Sequence, residues 1–188
     1  MPPFARIVEP IERYYTQKLL THGPTAAGVD WNSAESQRLR FQHLLRLFDT
    51  SRPFTINDYG CGYGALVDHL TERGLSFQYC GCDISAAMIE HGRRAHAGRG
   101  DCLFVREESE LPIADYSVAS GVLNVKLAAT DEEWHRYVHA ALERLAGLST
   151  RGFACNFLTS HGDPERREPR LFYADPTQIF DYCRRRFP

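Results

Sequence analysis

The sequence predicts an α/β protein whose mostly parallel sheet carries helices on both faces. Short apolar runs alternate along the chain with longer stretches in which apolar residues recur at helical spacing. One such run, within residues 55–64, ends in a turn with Gly60, Gly62 and Gly64 at alternate positions, and a helical pattern follows. Alternation of this kind is typical of a doubly wound sheet, and such sheets bind ligands at the carboxyl ends of their strands.

The composition is typical of one globular domain and indicates no polyanionic partner. The chain has 188 residues, 43% of them hydrophobic, and its 22 basic residues nearly balance 24 acidic ones. We expect a single domain over residues 1–188, with a helical cap over 1–50 and an α/β core over 51–188. No run reaches the roughly 18 apolar residues that span a bilayer, and the first residues lack an apolar leader. We therefore expect a cytoplasmic location and neither a membrane nor a nucleic-acid partner.

Apolar spacing and capping residues predict the individual elements. Ser33, Ser85, Thr130 and Asp175 stand where helix caps are expected, and Glu133 completes a capping box with Thr130. The predicted helices cover 4–20, 33–48, 64–75, 85–96, a stretch from Thr130 that buries Trp134, Val138, Leu142 and Leu145, and a last helix from Asp175. The predicted strands are the run before Gly60, 76–82, 102–105, 116–120 and 152–158, with a loop over 21–30.

The glycine turn fits two ligand templates. Residues 60–65 match the G-x-G-x-x-A dinucleotide fingerprint, and Asp58 opens a D-x-G-x-G-x-G pattern. A carboxylate beside the turn disfavours a pyrophosphate, because like charges repel in a partly dry site. It favours S-adenosylmethionine, which carries an ammonium and a sulfonium. Asp83 follows the second strand, where a carboxylate can accept both ribose hydroxyls; the alternative is that it only caps the next helix.

Four motifs in order resemble those of the class I S-adenosylmethionine-dependent methyltransferases. Asp58-Tyr59-Gly60-Cys61-Gly62-Tyr63-Gly64 is similar to their motif I, and residues 82–89 are similar to their D-x-S-x-x-M-I motif. Residues 106–112 resemble the stretch after strand three, and 115–123 resemble the strand-four motif. The resemblance implies a sheet of order 3-2-1-4-5. It also implies methyl transfer from S-adenosylmethionine to a small-molecule acceptor, with S-adenosylhomocysteine as the product.

The resemblance also implies a set of cofactor-binding residues. These are Asp58 for the ammonium, Gly60, Cys61 and Gly62 along the methionyl chain, Asp83 for the ribose, Ile84 and Met88 near the adenine, Glu107 in place of the usual Asp at its amino group, Ser120 in the strand-four motif, and Trp31 as a candidate lid residue. Core packing is the alternative for Met88. Anchoring of the N-terminal helices is the alternative for Trp31 and for the neighbouring candidates Tyr14 and Tyr15.

The catalytic groups stay open, because transfer from an activated sulfonium depends on positioning more than on proton transfer. Asn124, His161 and Tyr173 lie at the predicted mouth of the sheet and are candidates to orient an acceptor, deprotonate it or line its pocket. The alternatives are ordinary loop, surface and packing roles. No metal site is predicted, because the helical pair of His135 and His139 lacks further ligands. The six cysteines are expected to be free thiols.

Two other interpretations of the function remain: a non-catalytic relative that binds S-adenosylmethionine or a nucleotide, and a nicotinamide-dependent oxidoreductase. The sequence also departs from the family pattern, which adds an antiparallel β-hairpin after the last helix. A missing hairpin exposes a strand edge, so we expect a five-stranded sheet and, if nothing covers that edge, either a homodimer formed through it or lowered stability. The basic residues 166–167 and 184–186 interleave with acidic ones, which predicts a solvated face.

Overall fold

Five strands form a parallel sheet in the computed structural model, which describes residues 4–187. The strands are β1 (Phe54–Tyr59), β2 (Phe77–Cys82), β3 (Cys102–Val105), β4 (Ala114–Ala119) and β5 (Ser149–Cys155). Their order across the sheet is β3-β2-β1-β4-β5, so the predicted fold class and strand order are confirmed. Residues 1–3 and Pro188, which the predicted domain includes, lie outside the described residues.

Six α-helices within residues 4–187 pack around this sheet, and side-chain caps begin four of them. The Oγ1 atom of Thr130 accepts a hydrogen bond from the Glu133 amide at 3.2 Å, and Glu133 bonds back to the Thr130 amide at 3.0 Å. Such caps satisfy amides that have no partner within the helix. Ser33, Ser85 and Asp175 are confirmed as caps in the same way. The helices are α1 (Ala5–His22), α2 (Ala34–Leu45), α3 (Ala65–Glu72), α4 (Ala86–Ala95), α5 (Asp131–Gly147) and α6 (Pro176–Arg186).

Alternate residues of a strand enter different apolar cores, as the two-residue period of a strand requires. On β5, Ala154 packs into the core formed with α2, α3 and α4, whereas Phe153 and Cys155 pack on the other face. That second core contains α1, α5 and α6, with Trp134 and Leu142 fully buried. The predicted helices on both faces are therefore confirmed.

The chain after α5 differs most from the prediction. β5 covers 149–155 rather than 152–158. Just after its last residue, the side chain of Asn156 accepts a hydrogen bond from the Gly121 amide at 2.9 Å. Two short strands follow that were not predicted. β6 (Leu158–Thr159) pairs in parallel with β7 (Tyr173–Ala174). Strands of two residues leave no periodic signal in a sequence.

Several structural features bear on the other expectations. β5 is an edge strand, and no strand follows α6 within residues 4–187. Among these residues no helix is both long and apolar enough to cross a membrane. All six cysteines are free. The described part of the chain also contains no group of three His, Cys, Asp or Glu residues that could hold a metal ion.

Leu142→Ala tests the second core. Its side chain is 0% exposed, so truncation leaves a cavity and is expected to lower the free energy of unfolding by about 2–5 kcal/mol. The matched control is Leu47→Ala, at a leucine that is 72% exposed and is expected to change stability by about 0.5 kcal/mol or less. Urea unfolding followed by circular dichroism measures both. Equal midpoints for the two variants would contradict the assigned core.

Candidate functional site

A cavity of about 630 Å³ opens at the carboxyl ends of β1, β2 and β4, where the doubly wound sheet was predicted to bind its ligand. Its volume falls within the roughly 300–1,000 Å³ typical of small-molecule sites. The cavity brings together every residue that the sequence predicted for the cofactor. These are Trp31, Asp58, Gly60, Cys61, Gly62, Asp83, Ile84, Met88, Glu107 and Ser120.

The glycine turn presents bare backbone to this cavity. Gly60 and Gly62 have φ values of 74° and 55°, a region that side chains with a Cβ rarely adopt. A Cβ on Gly60 would lie 2.3 Å from the Cγ2 atom of Val122. The amides of Gly60 and Cys61 both donate to the Cys82 carbonyl, at 2.8 and 3.0 Å. The turn is therefore folded back onto the end of β2, and its shape requires glycine.

Asp83 joins this turn to the start of α4. Its Oδ2 accepts the Gly62 amide at 2.9 Å, and its Oδ1 accepts the Ser85 amide at 2.9 Å. Burial raises the pKa of Asp83 to about 6, although these two hydrogen bonds lower it. A carboxylate has about four acceptor positions, so two remain for a ligand. The capping role of α4 belongs to Ser85, whose Oγ accepts the Met88 amide at 3.4 Å.

Asp58 provides a second carboxylate, which is only 3% exposed. Its Oδ2 accepts the Tyr79 hydroxyl at 3.0 Å. Burial raises its pKa to about 7, against the hydrogen bond from Tyr79 and with a smaller contribution from the charge of Asp83. A cation beside this group would favour its ionised form. The site is therefore built to gain from a positively charged ligand.

Sequence reasoning missed Tyr79 as a partner of Asp58. A Cβ on Gly81 would lie 2.5 Å from the Tyr79 hydroxyl, so the glycine makes room for that hydrogen bond. Gly81 also pairs directly with Asp58 across the two strands. A glycine inside a buried strand often marks a close approach of this kind, and it was the available signal.

The N-terminal segment forms another wall of the cavity. Val8, Ile11 and Tyr15 of α1 line it, together with Val29 and Trp31. The indole of Trp31 lies 3.1 Å from the position of a Cβ on Gly121, at the end of β4, and Val29 lies 2.9 Å from that of Gly62. Residues 29–31 therefore lie against the turns that follow β1 and β4.

Two polar groups at the strand ends differ in their partners. The Ser120 hydroxyl is buried and has no hydrogen-bond partner among the described residues, so a ligand is the available partner in the cavity. Glu107 is exposed and forms a capping box with Glu110 over the short 3-10 helix 108–110. Its carboxylate at the cavity rim is therefore partly engaged within the protein.

The three candidate catalytic residues lie apart from the described residues that line the cavity. Asn124 is buried, and its Oδ1 accepts the Leu158 amide at 3.0 Å. The Tyr173 hydroxyl accepts the Glu168 amide at 3.0 Å, and His161 is exposed on the loop after β6. These contacts match the structural alternatives given for each residue.

The cavity fits the methyl donor that the resemblance implied. An adenosyl ligand with a cationic methionyl end needs a ribose acceptor, a close backbone surface and an anionic group. Asp83, the turn around Gly60 and Asp58 supply these in one cavity, and the unpartnered Ser120 hydroxyl provides one further polar contact. The chemistry of these cavity residues therefore agrees with S-adenosylmethionine as the ligand.

Comparison with known proteins finds methyltransferases. The Methyltransferase domain family matches residues 56–147. "Putative methyltransferase Rv1506c" of Mycobacterium tuberculosis is 43% identical over 143 residues, which cover 76% of this chain and 86% of that protein.

Solved structures share the fold at much lower identity. Mycolic acid cyclopropane synthase CmaA1, complexed with SAH and CTAB, aligns with a TM-score of 0.65 and 13% identity over 99% of this chain and 75% of its own. Magnesium protoporphyrin IX methyltransferase (ChlM) from Synechocystis PCC 6803, with bound SAM, aligns with a TM-score of 0.55 and 16% identity. This alignment covers 98% of this chain and 73% of that protein's chain. Likeness at these identities shows the fold alone.

The family match, the relative at 43% identity and the five-stranded sheet all lead to one assignment. The four sequence motifs lie at the strand ends that form the cavity, in the arrangement that the resemblance implied. The chain belongs to the class I S-adenosylmethionine-dependent methyltransferases.

Proposed function

We propose that this chain holds S-adenosylmethionine at the glycine turn and transfers its methyl group to a small, largely apolar acceptor. The observation that carries the proposal is the meeting of Asp58, Gly60, Gly62 and Asp83 in one cavity. The anionic and backbone surfaces match the cationic and adenosyl parts of the donor.

Each residue has a binding or orienting role in this proposal. When bound, S-adenosylmethionine supplies an activated methyl group on a positive sulfur. The free acceptor positions of Asp83 take the ribose hydroxyls, and the carboxylate of Asp58 attracts the ammonium. The backbone around Gly60 approaches the methionyl chain, which the missing Cβ permits. The Ser120 hydroxyl can donate to the donor's carboxylate, and Ile84 and Met88 pack beside the adenine.

The acceptor is proposed to be small and largely apolar. Walls of the cavity that the donor residues do not account for come from α1 and α5, with Ala5, Val8, Ala140 and Ala141 among them. These four side chains are apolar, while Glu9, Tyr15, Tyr137 and Arg144 of the same two helices add polar groups to the wall. The protein's main catalytic contribution would be to align acceptor, methyl and sulfur.

Calorimetry with S-adenosylmethionine, S-adenosylhomocysteine and NADH tests the donor, and transfer of a labelled methyl group to an acceptor library tests the reaction. We expect both adenosyl ligands to bind and NADH to bind weakly, because Asp58 disfavours a pyrophosphate. Tight NADH binding without binding of either adenosyl ligand would overturn the proposal. Donor binding with no transfer across the library would instead favour the non-catalytic interpretation.

Asp83→Asn is expected to weaken S-adenosylhomocysteine binding roughly 10- to 150-fold, since a hydrogen bond to a charged group contributes about 1.5–3 kcal/mol. The matched control is Asp68→Asn, which changes an exposed carboxylate on α3 and should leave the affinity unchanged. Thermal unfolding checks that both variants fold. If a folded Asp83→Asn variant bound S-adenosylhomocysteine as tightly as the wild type does, the ribose would lie elsewhere.

The affinity for S-adenosylmethionine should rise with pH between 6 and 7.4. The pKa of Asp58 is raised to about 7 by burial, and an ammonium ligand binds its ionised form, so binding releases a proton below that pH. Allowing for partial loss of the ligand's own α-ammonium proton near pH 7.7–8.0, we expect roughly a fivefold gain from Asp58 over this range. Calorimetry in two buffers of different ionisation enthalpy measures the proton release. In Asp58→Asn the gain should fall to about twofold or less, because the Asp83 carboxyl, whose pKa burial raises to about 6, still ionises over this range. A gain that stays near fivefold in this variant would assign the titration to another group.

We also propose that two copies of the chain pair through the outer edge of β5. That strand is the edge of the described sheet, and an unpaired strand edge favours association. Sedimentation velocity is expected to show a dimer at high micromolar concentration, because the outer edge of β5 offers unpaired backbone groups. A wild-type monomer at high micromolar concentration would contradict this pairing.

A further inference from the structure

A cluster of four side chains, which we call the Asp30 cluster, lies outside the cavity and joins distant parts of the chain. Asp30 accepts hydrogen bonds from Tyr14 and Arg170 at 2.8 Å each, and Lys18 lies 2.8 Å from its other oxygen. Arg170 also donates to the Tyr14 hydroxyl at 2.9 Å. The cluster therefore links α1, the segment after it and the residues before β7.

Asp30 sits between two residues that line the cavity. Val29 and Trp31 are lining residues, whereas the Asp30 side chain is held in the cluster. Its backbone has a φ of 63°, which is uncommon for a residue with a Cβ and persists only where surrounding contacts hold it. The contacts of the cluster, together with the hydrogen bonds from the Val29 and Trp31 amides to the Ala26 carbonyl, therefore hold residues 29–31 in place.

The Arg170 end of the cluster is fixed to the sheet. The Arg170 carbonyl accepts the amides of Lys126 and Leu127 at 3.0 Å each. Next to it, the Phe172 amide donates to the Asn124 carbonyl at 2.7 Å. The segment after β4 thus hydrogen-bonds the Arg170 backbone, and the Arg170 side chain hydrogen-bonds Asp30. Asp30 in turn fixes the two lining residues next to it, Val29 and Trp31. Asn124 serves this connection rather than the cavity itself.

The charges in the cluster favour the closed arrangement. The Asp30 side chain is 14% exposed and faces two cations, so its charge is partly desolvated and compensated. Burial alone would raise the pKa of Asp30, but hydrogen bonds from Lys18, Arg170 and Tyr14 outweigh it and lower that pKa. Opening the segment would leave these partly buried charges without partners, which is unfavourable.

We propose that the Asp30 cluster is a latch that holds residues 29–31 over the methyl-donor site, with Asp30 and Arg170 as positioning residues. The inference rests on the proposed function for its effect on the donor. Asp30 and Arg170 are not among the described residues that line the cavity. A closed segment places Val29 against Gly62 and Trp31 against Gly121, which narrows the donor end of the cavity.

Acrylamide quenching of tryptophan fluorescence tests the latch directly. The chain has two tryptophans, and Trp134 is 0% exposed, so a change in quenching reports on Trp31. Arg170→Gln is expected to increase quenching and to raise the KM for S-adenosylmethionine about tenfold, with a smaller change in kcat. Arg170→Lys should bring both the quenching and the KM part of the way back to the wild-type values, because lysine keeps one cationic donor for Asp30.

The matched control is Arg166→Gln, whose side chain is 87% exposed and pairs only with Asp163 among the described residues. It should change neither the quenching nor the KM. Tyr14→Phe provides a milder opening variant if Arg170→Gln lowers the melting temperature strongly. Unchanged quenching in both folded variants would overturn the latch. Failure of the wild type to bind either adenosyl ligand would overturn the proposed function, while the quenching result would still decide on the latch.

Discussion

The hydrogen bond from the Gly62 amide to the Asp83 carboxylate, at 2.9 Å, is the contact on which the arrangement of the site depends. It joins the turn after β1 to the end of β2, the two strands at the centre of the ligand edge. A residue with a side chain at Gly62 would meet Val29 at 2.9 Å and would have to adopt a left-handed backbone. The same atoms that shape the turn thus also set the position of Asp83, the proposed ribose acceptor.

The glycine turn also affects Asp58 and the segment after α1. The folded-back turn leaves Asp58 at the bottom of the cavity, where burial raises its pKa to about 7 and the Tyr79 hydroxyl is its hydrogen-bond partner. The turn also offers a surface on which the segment after α1 can lie, with Val29 against Gly62. The donor site is therefore made by the glycine turn, one neighbouring strand and an N-terminal segment that a separate set of charges holds in place.

The sheet order and the residues that line the cavity were predictable because they depend on local signals. Glycines at alternate positions need a positive φ, caps such as Ser85 and Thr130 mark helix starts, and a carboxylate after a strand lies at the ligand edge. β6, β7 and the role of Asn124 were not predictable, because they depend on single contacts between residues far apart in the sequence. Asp30 gave no sequence signal either, since only the folded chain brings it to Arg170.

A crystal structure of the chain with S-adenosylhomocysteine bound would show where the ligand lies. We expect both ribose hydroxyls within hydrogen-bonding distance of Asp83, the methionyl ammonium on the side of Asp58, and the Gly62–Asp83 hydrogen bond retained. We also expect Trp31 over the donor end of the cavity. A ligand bound elsewhere, or a ribose without contact to Asp83, would overturn the assignment of Asp83 and the glycine turn to the methyl donor.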